Sequence, residues 1–570
     1  MNRRLLQLLA LMATLMLFAA ACSGSDTAEE PADSGASDDT ATTDSEEPTD
    51  EATTDDEPTT EDTASEAAPS GDGGSYSLYV CEPENLLPAN SSESCGNQVL
   101  QSLYTNLIEY DPETTESVNT VADSIETEDS QTFTITVADG WSFHDGEPIT
   151  AATFVDTFNF VTDPDGAYQN SFFYSDIEGT DDGGLRDAET LTGVELVDDM
   201  TFTVTLKNPF SAWPLRLGYR AFSPLPTACR EDPDACNEAP IGNGPYQMDG
   251  TWNHDVNISV TKWEDYPGEN PGVADAIEFR IFSDVETALL EVEAGTLDAL
   301  YGVPGPSVEQ ARSTFGDRFI ERPVSTYTYV GFPMYDAAYG GDENLQLRQA
   351  LSLAVDRQAI TDVILPQQFP ADSLISPVVP GYSEGACEFC QYDPDRALEL
   401  WNEHGGLDSI VMWFNSGAGH EEWVEAIANQ WRDTFGLADD AITFESVEFA
   451  DYLSNFLDPQ AITGPFRLGW GMDYPSPENY LAPLYFTDAD SNFFGYSNPD
   501  FEALVREGNQ AADVDEGIAL YQEAEQLVLA DMPAIPLFFS NGSAVHSENV
   551  DNVVVSAFGQ IRPESVTPVN

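Results

Sequence analysis

The sequence predicts a mixed fold of helices and strands, either α/β or α+β, with several sheets in residues 76–570. Thr132–Val137 alternates β-branched and apolar residues, as a strand with one buried face does. Residues 150–160 carry apolar side chains at helical spacing, and residues 193–207 are typical of two strands joined by a turn at Asp198-Asp199. This region is long enough for two or three domains.

The second half of the chain continues the alternation. Residues 345–364 have the spacing of an amphipathic helix, and Arg348 and Asp356-Arg357 are expected to form ion pairs on or beside it. Residues 500–532 are long enough for two further helices. Residues 534–539 are apolar enough for a buried strand, in which Pro536 indicates an edge position or a bulge because proline cannot donate to a sheet.

The first 22 residues predict export. Arg3 and Arg4 precede an apolar run that ends in three alanines, and the chain turns polar directly after Cys22. A basic start, a short apolar segment and small residues before the break are typical of a secretory signal peptide. The cysteine at the break resembles a bacterial lipoprotein signal, which implies cleavage after residue 21 and a lipid on Cys22. The alternatives are a plain signal peptide or a membrane anchor.

Residues 22–75 are predicted to be a disordered acidic linker. Residues 23–75 contain 18 Asp and Glu, and they contain no Lys, Arg, aromatic residue, Leu, Ile or Val. Such a segment buries too little apolar surface to offset its chain entropy, and its like charges extend it. It is either a stalk that holds the folded region off the outer face of the cell membrane or an acidic solubilising tail.

The charge of the folded region excludes one class of partner. Residues 76–570 contain 17 Lys and Arg against 84 Asp and Glu. Nucleic acid binding needs clustered basic residues to contact phosphates, so no nucleic-acid partner is expected. For the same reason, direct binding to an anionic membrane surface is not expected apart from the lipid.

The six cysteines after Cys22 fall into three pairs of sequence neighbours. In an exported protein they predict three local disulfides, although six cysteines allow fifteen connectivities. The pairs are Cys81 with Cys95, Cys229 with Cys236, and Cys387 with Cys390. The last pair also has the spacing of zinc ligands or of a redox centre, but no second such pair or nearby paired histidines accompany it, so no metal site is expected.

Six stretches carry a family resemblance. The first, Trp-Ser-Phe-His-Asp-Gly-Glu-Pro-Ile-Thr-Ala at 141–151, resembles a strand–turn–helix signature of the peptide/nickel class of extracytoplasmic solute-binding proteins, which serve ABC importers. Five more stretches follow in the family's order, at residues 240–246, 294–298, 347–357, 495–501 and 531–537. The resemblance implies a two-lobed periplasmic-binding-protein-like α/β fold of three domains, with a ligand cleft between the lobes.

The resemblance also implies domain boundaries. One lobe would combine residues 76–98, 221–325 and 546–570, and an inserted domain of residues 99–220 would sit on it. The other lobe would be residues 326–545.

The segment from Arg467 to Tyr474 resembles the cleft strand of oligopeptide-binding members. The resemblance implies that Asp473 pairs with the α-ammonium of a peptide, while Gly469 and Gly471 let the peptide backbone approach. Trp470 and Tyr474 would form a side-chain wall. Arg467, and His420 from a neighbouring segment, would lie near a ligand carboxylate. The alternatives are an ordinary surface carboxylate at Asp473, a salt bridge at Arg467 and a core position for Trp470.

These observations predict a membrane-tethered, monomeric, non-enzymatic component of an ABC importer that needs no cofactor. It would capture a small peptide or similar solute and deliver it to a permease. Oligosaccharides or metal chelates are alternative ligands within the same class. The rival class is an extracellular hydrolase, because Gly381-Tyr382-Ser383-Glu384-Gly385 matches the spacing of a nucleophile elbow. That motif needs a preceding strand and a following helix, whereas Pro380 and the Cys387–Cys390 segment flank it here.

Overall fold

The computed structural model describes residues 73–416, 419–456, 461–489, 491–511 and 514–569. The predicted signal peptide (1–21), the lipidation site Cys22 and nearly all of the predicted linker lie outside these residues.

Strands and helices alternate along the described chain. The strands are β1 (Ser75–Val80), β2 (Ile108–Tyr110), β3 (Ser117–Asn119), β4 (Ala122–Thr127), β5 (Thr132–Val137), β6 (Val194–Leu196), β7 (Thr201–Thr205), β8 (Tyr246–Met248), β9 (Asn257–Lys262), β10 (Ala276–Ile281), β11 (Ala299–Tyr301), β12 (Phe319–Gly331), β13 (Gln368–Pro370), β14 (Ile410–Asn415), β15 (Ile442–Val447), β16 (Phe466–Trp470), β17 (Ala534–His546), β18 (Val550–Asp551) and β19 (Thr567–Pro568). The α-helices are α1 (Ser94–Leu103), α2 (Ala151–Val161), α3 (Thr227–Glu231), α4 (Pro233–Glu238), α5 (Val285–Ala294), α6 (Val308–Phe315), α7 (Leu345–Leu353), α8 (Arg357–Val363), α9 (Pro394–His404), α10 (Glu421–Phe435), α11 (Phe449–Asn455), α12 (Glu478–Tyr485), α13 (Pro499–Gln510) and α14 (Val514–Asp531).

The mixed fold class is confirmed, and most of the predicted elements are present. β5, the β6–β7 pair, α2, and the two helices α13 and α14 lie where the sequence patterns predict them. The prediction of one continuous helix over residues 345–364 is wrong, because α7 ends at Leu353 and α8 begins at Arg357. The side chain of Asp356 caps α8 by accepting a hydrogen bond from the backbone N–H of Ala359 at 3.0 Å.

A long mixed sheet is the largest sheet of the described structure. Its strands follow the order β15-β14-β16-β12-β17-β11-β1-β10-β9-β8, and β13 pairs with β17 beside this path. A separate antiparallel sheet with the order β4-β5-β7-β6 is packed by α2. The buried face of α2 supplies Phe154 and Phe158, whose rings contact Phe202 of β7.

The two longest strands, β12 and β17, run antiparallel from one half of the sheet to the other. Their pairing shifts between Pro323 and Tyr327, and it shifts again where Thr328 pairs with Phe538 but Tyr329 pairs with Pro536. The extra residue, Leu537, makes this a bulge beside the proline. Of the two positions that Pro536 indicated, the bulge is therefore confirmed, while the edge position is wrong because β17 has neighbours on both sides.

The hydrophobic core divides into two clusters at these crossing strands. One cluster contains the buried residues of β1, β10 and β11 together with those of the four-stranded sheet. The other begins at Tyr327 and contains the buried residues of β14, β16, α10 and the start of β17. The fold is therefore two-lobed, and β12 and β17 pass from one lobe to the other.

Three disulfides join sequence neighbours. The structure places the sulfur atoms of Cys81 and Cys95, of Cys229 and Cys236, and of Cys387 and Cys390 in bonded pairs, with Cα–Cα separations of 5.4, 5.0 and 5.4 Å. Each bond closes a short loop within one lobe, so none of them links the two lobes.

The prediction of ion pairs at Arg348 and Arg357 is wrong. Both guanidinium groups are buried and donate mainly to backbone carbonyls. Arg348 reaches the carbonyl of Asp531 at 2.8 Å, and Arg357 reaches the carbonyls of Pro536 at 2.7 Å and Cys390 at 2.8 Å. Each arginine therefore ties a helix to the chain around β17, rather than neutralising one of the many carboxylates.

One buried carboxyl group predicts a pH dependence of stability. Glu525 of α14 is fully buried, and its Oε1 accepts hydrogen bonds from the Ser373 hydroxyl at 2.5 Å and the Leu374 N–H at 2.8 Å. Its Oε2 has no hydrogen-bond partner among the described residues. Burial raises the pKa of Glu525 to about 7.

Because the folded protein holds this proton more tightly than the unfolded chain does, the stabilisation is fully present below the ordinary pKa of glutamate and is lost as the pH rises through about 7. We expect Glu525→Gln to raise the free energy of unfolding at pH 8 by roughly 3 kcal/mol and to change it little at pH 4. Thermal unfolding at both pH values measures this. The control is Glu425→Gln, which removes an exposed charge from α10. Equal shifts at both pH values for Glu525→Gln would contradict the account.

Candidate functional site

The segment that contains Asp473 leaves the large sheet where the two lobes meet. β16 pairs antiparallel with β12, from Phe466 opposite Gly331 to Trp470 opposite Tyr327, and it touches β14 on its other side. After Trp470 the chain leaves the sheet and enters α12 at Glu478. This brings residues 471–474 beside the point where β12 crosses between the lobes.

Asp473 is a partly exposed carboxylate held by one amide side chain. Its backbone N–H donates to Oδ1 of Asn479 at 2.9 Å, and Nδ2 of Asn479 donates to Oδ2 of Asp473 at 3.1 Å. Asp473 forms no ion pair with the basic residues that the structure describes. Its surroundings raise its pKa, because desolvation outweighs the Asn479 hydrogen bond and the attraction of the more distant Arg216. The carboxylate is therefore fixed in position and not neutralised by a cation.

Arg467, on the same segment, is a positively charged side chain without an ion-pair partner among the described residues. Its Nη1 donates to Oδ1 of Asn415 at 3.2 Å, and its buried Nε has no acceptor among the described residues. Desolvation lowers the pKa of Arg467 to about 10, against the opposing influence of Tyr452 and Tyr329. The group stays cationic at neutral pH, and none of the described carboxylates pairs with it.

His420 lies close enough to Arg467 for the positive charge of Arg467 to act on it. It precedes α10, and its Nδ1 accepts a hydrogen bond from Nε1 of Trp423 at 3.3 Å. Burial first, and then the nearby positive charge of Arg467, lower the pKa of His420 to about 2. The imidazole is therefore neutral at physiological pH, so Arg467 supplies the positive charge of this pair.

The two glycines of the segment differ in what surrounds them. A Cβ on Gly469 would lie 3.0 Å from the carbonyl oxygen of Tyr327, so the neighbouring strand β12 already requires a small residue there. A Cβ on Gly471 would lie 3.7 Å from the nearest atom, Oγ of Ser325. Close approach of an external backbone is therefore easier at Gly471.

The two aromatic residues of the segment contact protein in this structure. Trp470 packs against the core of the second lobe, and its Nε1 is buried without an acceptor among the described residues. Tyr474 is buried in the core cluster of the first lobe, where its ring lies 5.0 Å from the guanidinium of Arg216 and its hydroxyl donates to Glu478 at 2.5 Å. The predicted ligand contacts of these side chains stay predictions.

A cavity of about 100 Å³ lies on the side of the first lobe. Ser325 links it to the segment of Asp473, because its Oγ accepts from the N–H of Met472 at 3.4 Å and its N–H donates to the carbonyl of Ala557 in the cavity lining at 2.9 Å. Tyr110 and Tyr219 line the cavity, and the negative charge of Asp473 contributes to the raised pKa of both phenols. Sequence reasoning missed this cavity, because its lining comes from α1, β2, residues 218–220 and the C-terminal segment, which are far apart in the chain. The polar and aromatic lining residues are Asn97, Gln101, Tyr110, Asp111, Thr115, Tyr219, Arg220, Ser556, Phe558, Gln560 and Arg562.

A larger cavity of about 260 Å³ lies elsewhere on the first lobe and shares no residue with the Asp473 segment. Acidic residues dominate its polar lining, among them Glu82, Asp255 and Asp284. Within the described ranges, no group of three or more His, Cys, Asp or Glu side chains is placed to hold a metal ion. In the same ranges, no helix has the length and apolar character needed to span a membrane.

Comparison with known proteins identifies relatives of the whole folded region. Residues 116–492 match the family of bacterial extracellular solute-binding proteins, family 5 Middle. The chain is 24% identical over 507 residues to the oligopeptide-binding protein OppA of Bacillus subtilis, covering 84% of this chain and 90% of that protein. It is 26% identical over 489 residues to heme-binding protein A of Haemophilus influenzae, covering 81% and 86%.

A solved structure shares the architecture. The periplasmic murein tripeptide binding protein MppA, in its unliganded open form, superposes with a TM-score of 0.77 at 20% identity, covering 88% of this chain and 98% of that one. At this identity the likeness establishes the two-lobed fold.

Proposed function

Because the chain belongs to family 5 of the bacterial extracellular solute-binding proteins, we propose that it is the solute-binding component of an ABC importer and that its ligand is a small peptide. The observation that carries the choice of ligand is the pair of opposite charges on one segment. Neither Asp473 nor Arg467 has an ion-pair partner among the described residues, and both are held by neutral amide side chains. For Arg467 this is unexpected, because Asp and Glu outnumber Lys and Arg by 102 to 19 in this chain. A free peptide has an ammonium at one end and a carboxylate at the other, so it complements both.

Asp473 is the proposed anchor for the α-ammonium. The hydrogen bonds with Asn479 fix the carboxylate before the ligand arrives, so little ordering is needed on binding. Closure of the lobes would remove water, and an ammonium–carboxylate contact strengthens as the surrounding dielectric falls. Blocking the ammonium by acetylation would leave the desolvated carboxylate without a partner.

Arg467, with His420 beside it, is the proposed receptor for the C-terminal carboxylate. Arginine offers several N–H donors in a planar arrangement, which suits a carboxylate. Gly471 would let the peptide backbone lie against the segment, and Trp470 has a free indole N–H in the described surroundings. We keep Gly469 and Tyr474 as proposed contacts of the closed form.

The proposed mechanism is closure of the two lobes about their crossing strands. We propose a first lobe of residues 76–98, 221–325 and 546–570, an inserted domain of residues 99–220, and a second lobe of residues 326–545. The start of the second core cluster at Tyr327 supports the division near residue 326. Strands β12 and β17 would act as the hinge. A bound peptide stabilises the closed form by mass action, by about 2.7 kcal/mol at a hundredfold excess over its dissociation constant. The closed, monomeric form would then be delivered to the permease.

We also propose that the protein is tethered. Cys22 would carry the lipid at the outer face of the cell membrane, and the acidic residues 23–75 would separate the binding lobes from that surface. The like charges of this segment support an extended chain. No enzymatic step is part of this proposal. Ser383, the nucleophile candidate of the rival hydrolase, lies in a loop with neither a strand before it nor a helix directly after it.

A thermal-shift panel on the purified protein tests the ligand class. It compares a mixture of tripeptides, the same mixture after N-acetylation, maltooligosaccharides, nickel chelates and heme. We expect the midpoint of unfolding to rise with the free peptides and to rise far less with the acetylated ones. A rise with sugars, chelates or heme alone would keep the solute-binding role and overturn the peptide proposal. Hydrolysis of any of these compounds that is lost in Ser383→Ala would favour the enzyme instead.

A further inference from the structure

Arg220 is one of several arginines without an ion-pair partner among the described residues, and it lies in the wall of the 100 Å³ cavity. Its Nη1 donates to the backbone carbonyl of Tyr104 at 3.0 Å. The neighbouring Arg562 provides the contrast, because it pairs with Glu109 at 3.3 Å and its Nε donates to Glu564 at 2.6 Å. Arg562 therefore engages both carboxylates directly, while Glu109 and Glu564 act on Arg220 only electrostatically. The one hydrogen bond described for the Arg220 guanidinium is that to Tyr104.

The remaining lining of the cavity is polar rather than acidic. Asn97, Gln101 and Gln560 contribute amide groups. Asp111 is the single acidic residue in the described lining, and its Oδ1 already accepts hydrogen bonds from the backbone N–H groups of Glu113 and Thr114. A cavity needs about 15 Å³ to hold one water, so this one accommodates several waters or a short polar side chain.

Two tyrosines connect this cavity to the proposed ammonium anchor. Tyr110 and Tyr219 line the cavity, and Asp473 and Arg220 both act electrostatically on each phenol, in opposite directions. The backbone N–H of Met472, the residue before Asp473, donates to Oγ of Ser325 at 3.4 Å, and the N–H of Ser325 donates to the carbonyl of Ala557 in the cavity lining at 2.9 Å. A group held at Asp473 would therefore lie near the cavity. In an extended peptide, neighbouring residues are about 3.3 Å apart and their side chains point to opposite sides. One of the first two side chains of the peptide would therefore point into the cavity.

We propose that this cavity is a side-chain subsite that selects peptides with an acidic residue at one of the first two positions, and that Arg220 is the specificity-determining residue. The inference rests on the proposed function, since it takes Asp473 as the ammonium anchor. A carboxylate in the cavity would complete the hydrogen bonds of a guanidinium that has no direct ion-pair contact among the described residues. A basic side chain would be repelled by Arg220. An apolar side chain would displace water from the guanidinium and the amides without replacing its hydrogen bonds.

Calorimetric titration of the purified protein with matched synthetic peptides tests the proposal. The pairs are Glu-Ala-Ala with Gln-Ala-Ala and Ala-Glu-Ala with Ala-Gln-Ala, and Ala-Ala-Ala gives the reference affinity. In the wild type, we expect the acidic member of one pair to bind about tenfold tighter than its amide twin, or more. This comparison changes only the ligand, so it does not depend on whether a variant folds. Equal affinities within both pairs would overturn the proposal.

Two variants then assign the preference to Arg220. Arg220→Gln should abolish the difference between the twins while leaving the affinity for Ala-Ala-Ala within about threefold. The matched control is Arg432→Gln, because Arg432 also lacks a described ion pair and donates to a backbone carbonyl, that of Ile442 at 2.9 Å, but lies outside the cavity. The control should keep the preference. Retention of the preference in Arg220→Gln would overturn the role of Arg220.

The same titrations separate this inference from the proposed function. Binding of Ala-Ala-Ala without any gain from an acidic residue contradicts the subsite alone. Failure of every peptide to bind contradicts both the subsite and the peptide-binding role.

Discussion

Replacing Asp473 by alanine is expected to weaken the binding of Ala-Ala-Ala by about 30-fold to several thousandfold. Removing one partner of a desolvated, hydrogen-bonded charge pair costs about 2–5 kcal/mol, and each 1.4 kcal/mol is a factor of ten in the dissociation constant. Isothermal titration calorimetry on the wild type and the variant measures the change. The variant should also lose the discrimination between free and N-acetylated peptide, because the substitution of Asp473 and the acetylation of the peptide remove the same contact.

A matched control separates the loss of the anchor from a general loss of a carboxylate. Asp531 is also partly exposed in the second lobe, and its Oδ2 accepts a hydrogen bond from Nδ2 of Asn498 at 2.9 Å, much as Asp473 accepts from Asn479. Asp531→Ala should leave the peptide affinity unchanged within about threefold. If Asp473→Ala binds the free peptide as tightly as the wild type does, Asp473 is not the ammonium anchor.

The second large effect concerns stability. Arg357→Met is expected to destabilise the second lobe by about 3–5 kcal/mol, which lowers the midpoint of thermal unfolding by about 10 °C. The methionine replaces most of the aliphatic volume, but it leaves the buried carbonyls of Pro536 and Cys390 without their donor. Differential scanning calorimetry measures the midpoint and shows whether the lobes unfold together.

The comparison for Arg357 is an arginine at the surface. Arg396 pairs with Glu388 at 2.9 Å, and the two side chains are 43% and 68% exposed. Exposed ion pairs contribute less than about 1 kcal/mol, so Arg396→Met should lower the midpoint by no more than about 3 °C. Equal shifts for the two variants would show that the carbonyl contacts of Arg357 do not hold the lobe together.

The sequence predicts most local elements of this fold because their signals are local. The alternation of Thr132–Val137 identifies a strand without knowledge of its neighbours. The proline in 534–539 indicates an edge position or a bulge, and only the pairing of β17 with β12 decides for the bulge. The break between α7 and α8 was missed, because the apolar periodicity continues across it and the capping by Asp356 becomes visible only in three dimensions. The prediction of ion pairs at Arg348 and Arg357 is wrong because both guanidinium groups are buried beside backbone carbonyls, to which they donate.

Some residues of the candidate site can be predicted from the sequence, and others cannot. Asp473, Arg467 and His420 were predicted through family motifs, and the structure places His420 close to Arg467. No sequence motif marks Tyr110, Tyr219 and Arg220 as site residues. Their cavity forms only when α1, β2, residues 218–220 and the C-terminal segment come together in the folded chain. The absence of an ion pair at Arg220 is likewise a property of the folded chain that composition cannot reveal.

The most direct test of the central claim is a calorimetric titration of the wild-type protein with Ala-Ala-Ala and with its N-acetylated form. The account predicts one-to-one binding of the free peptide and at least thirtyfold weaker binding of the acetylated one, because Asp473 then meets no ammonium. Equal affinities for the two forms, or no binding of either, would contradict the assignment of this cleft to peptides anchored at Asp473.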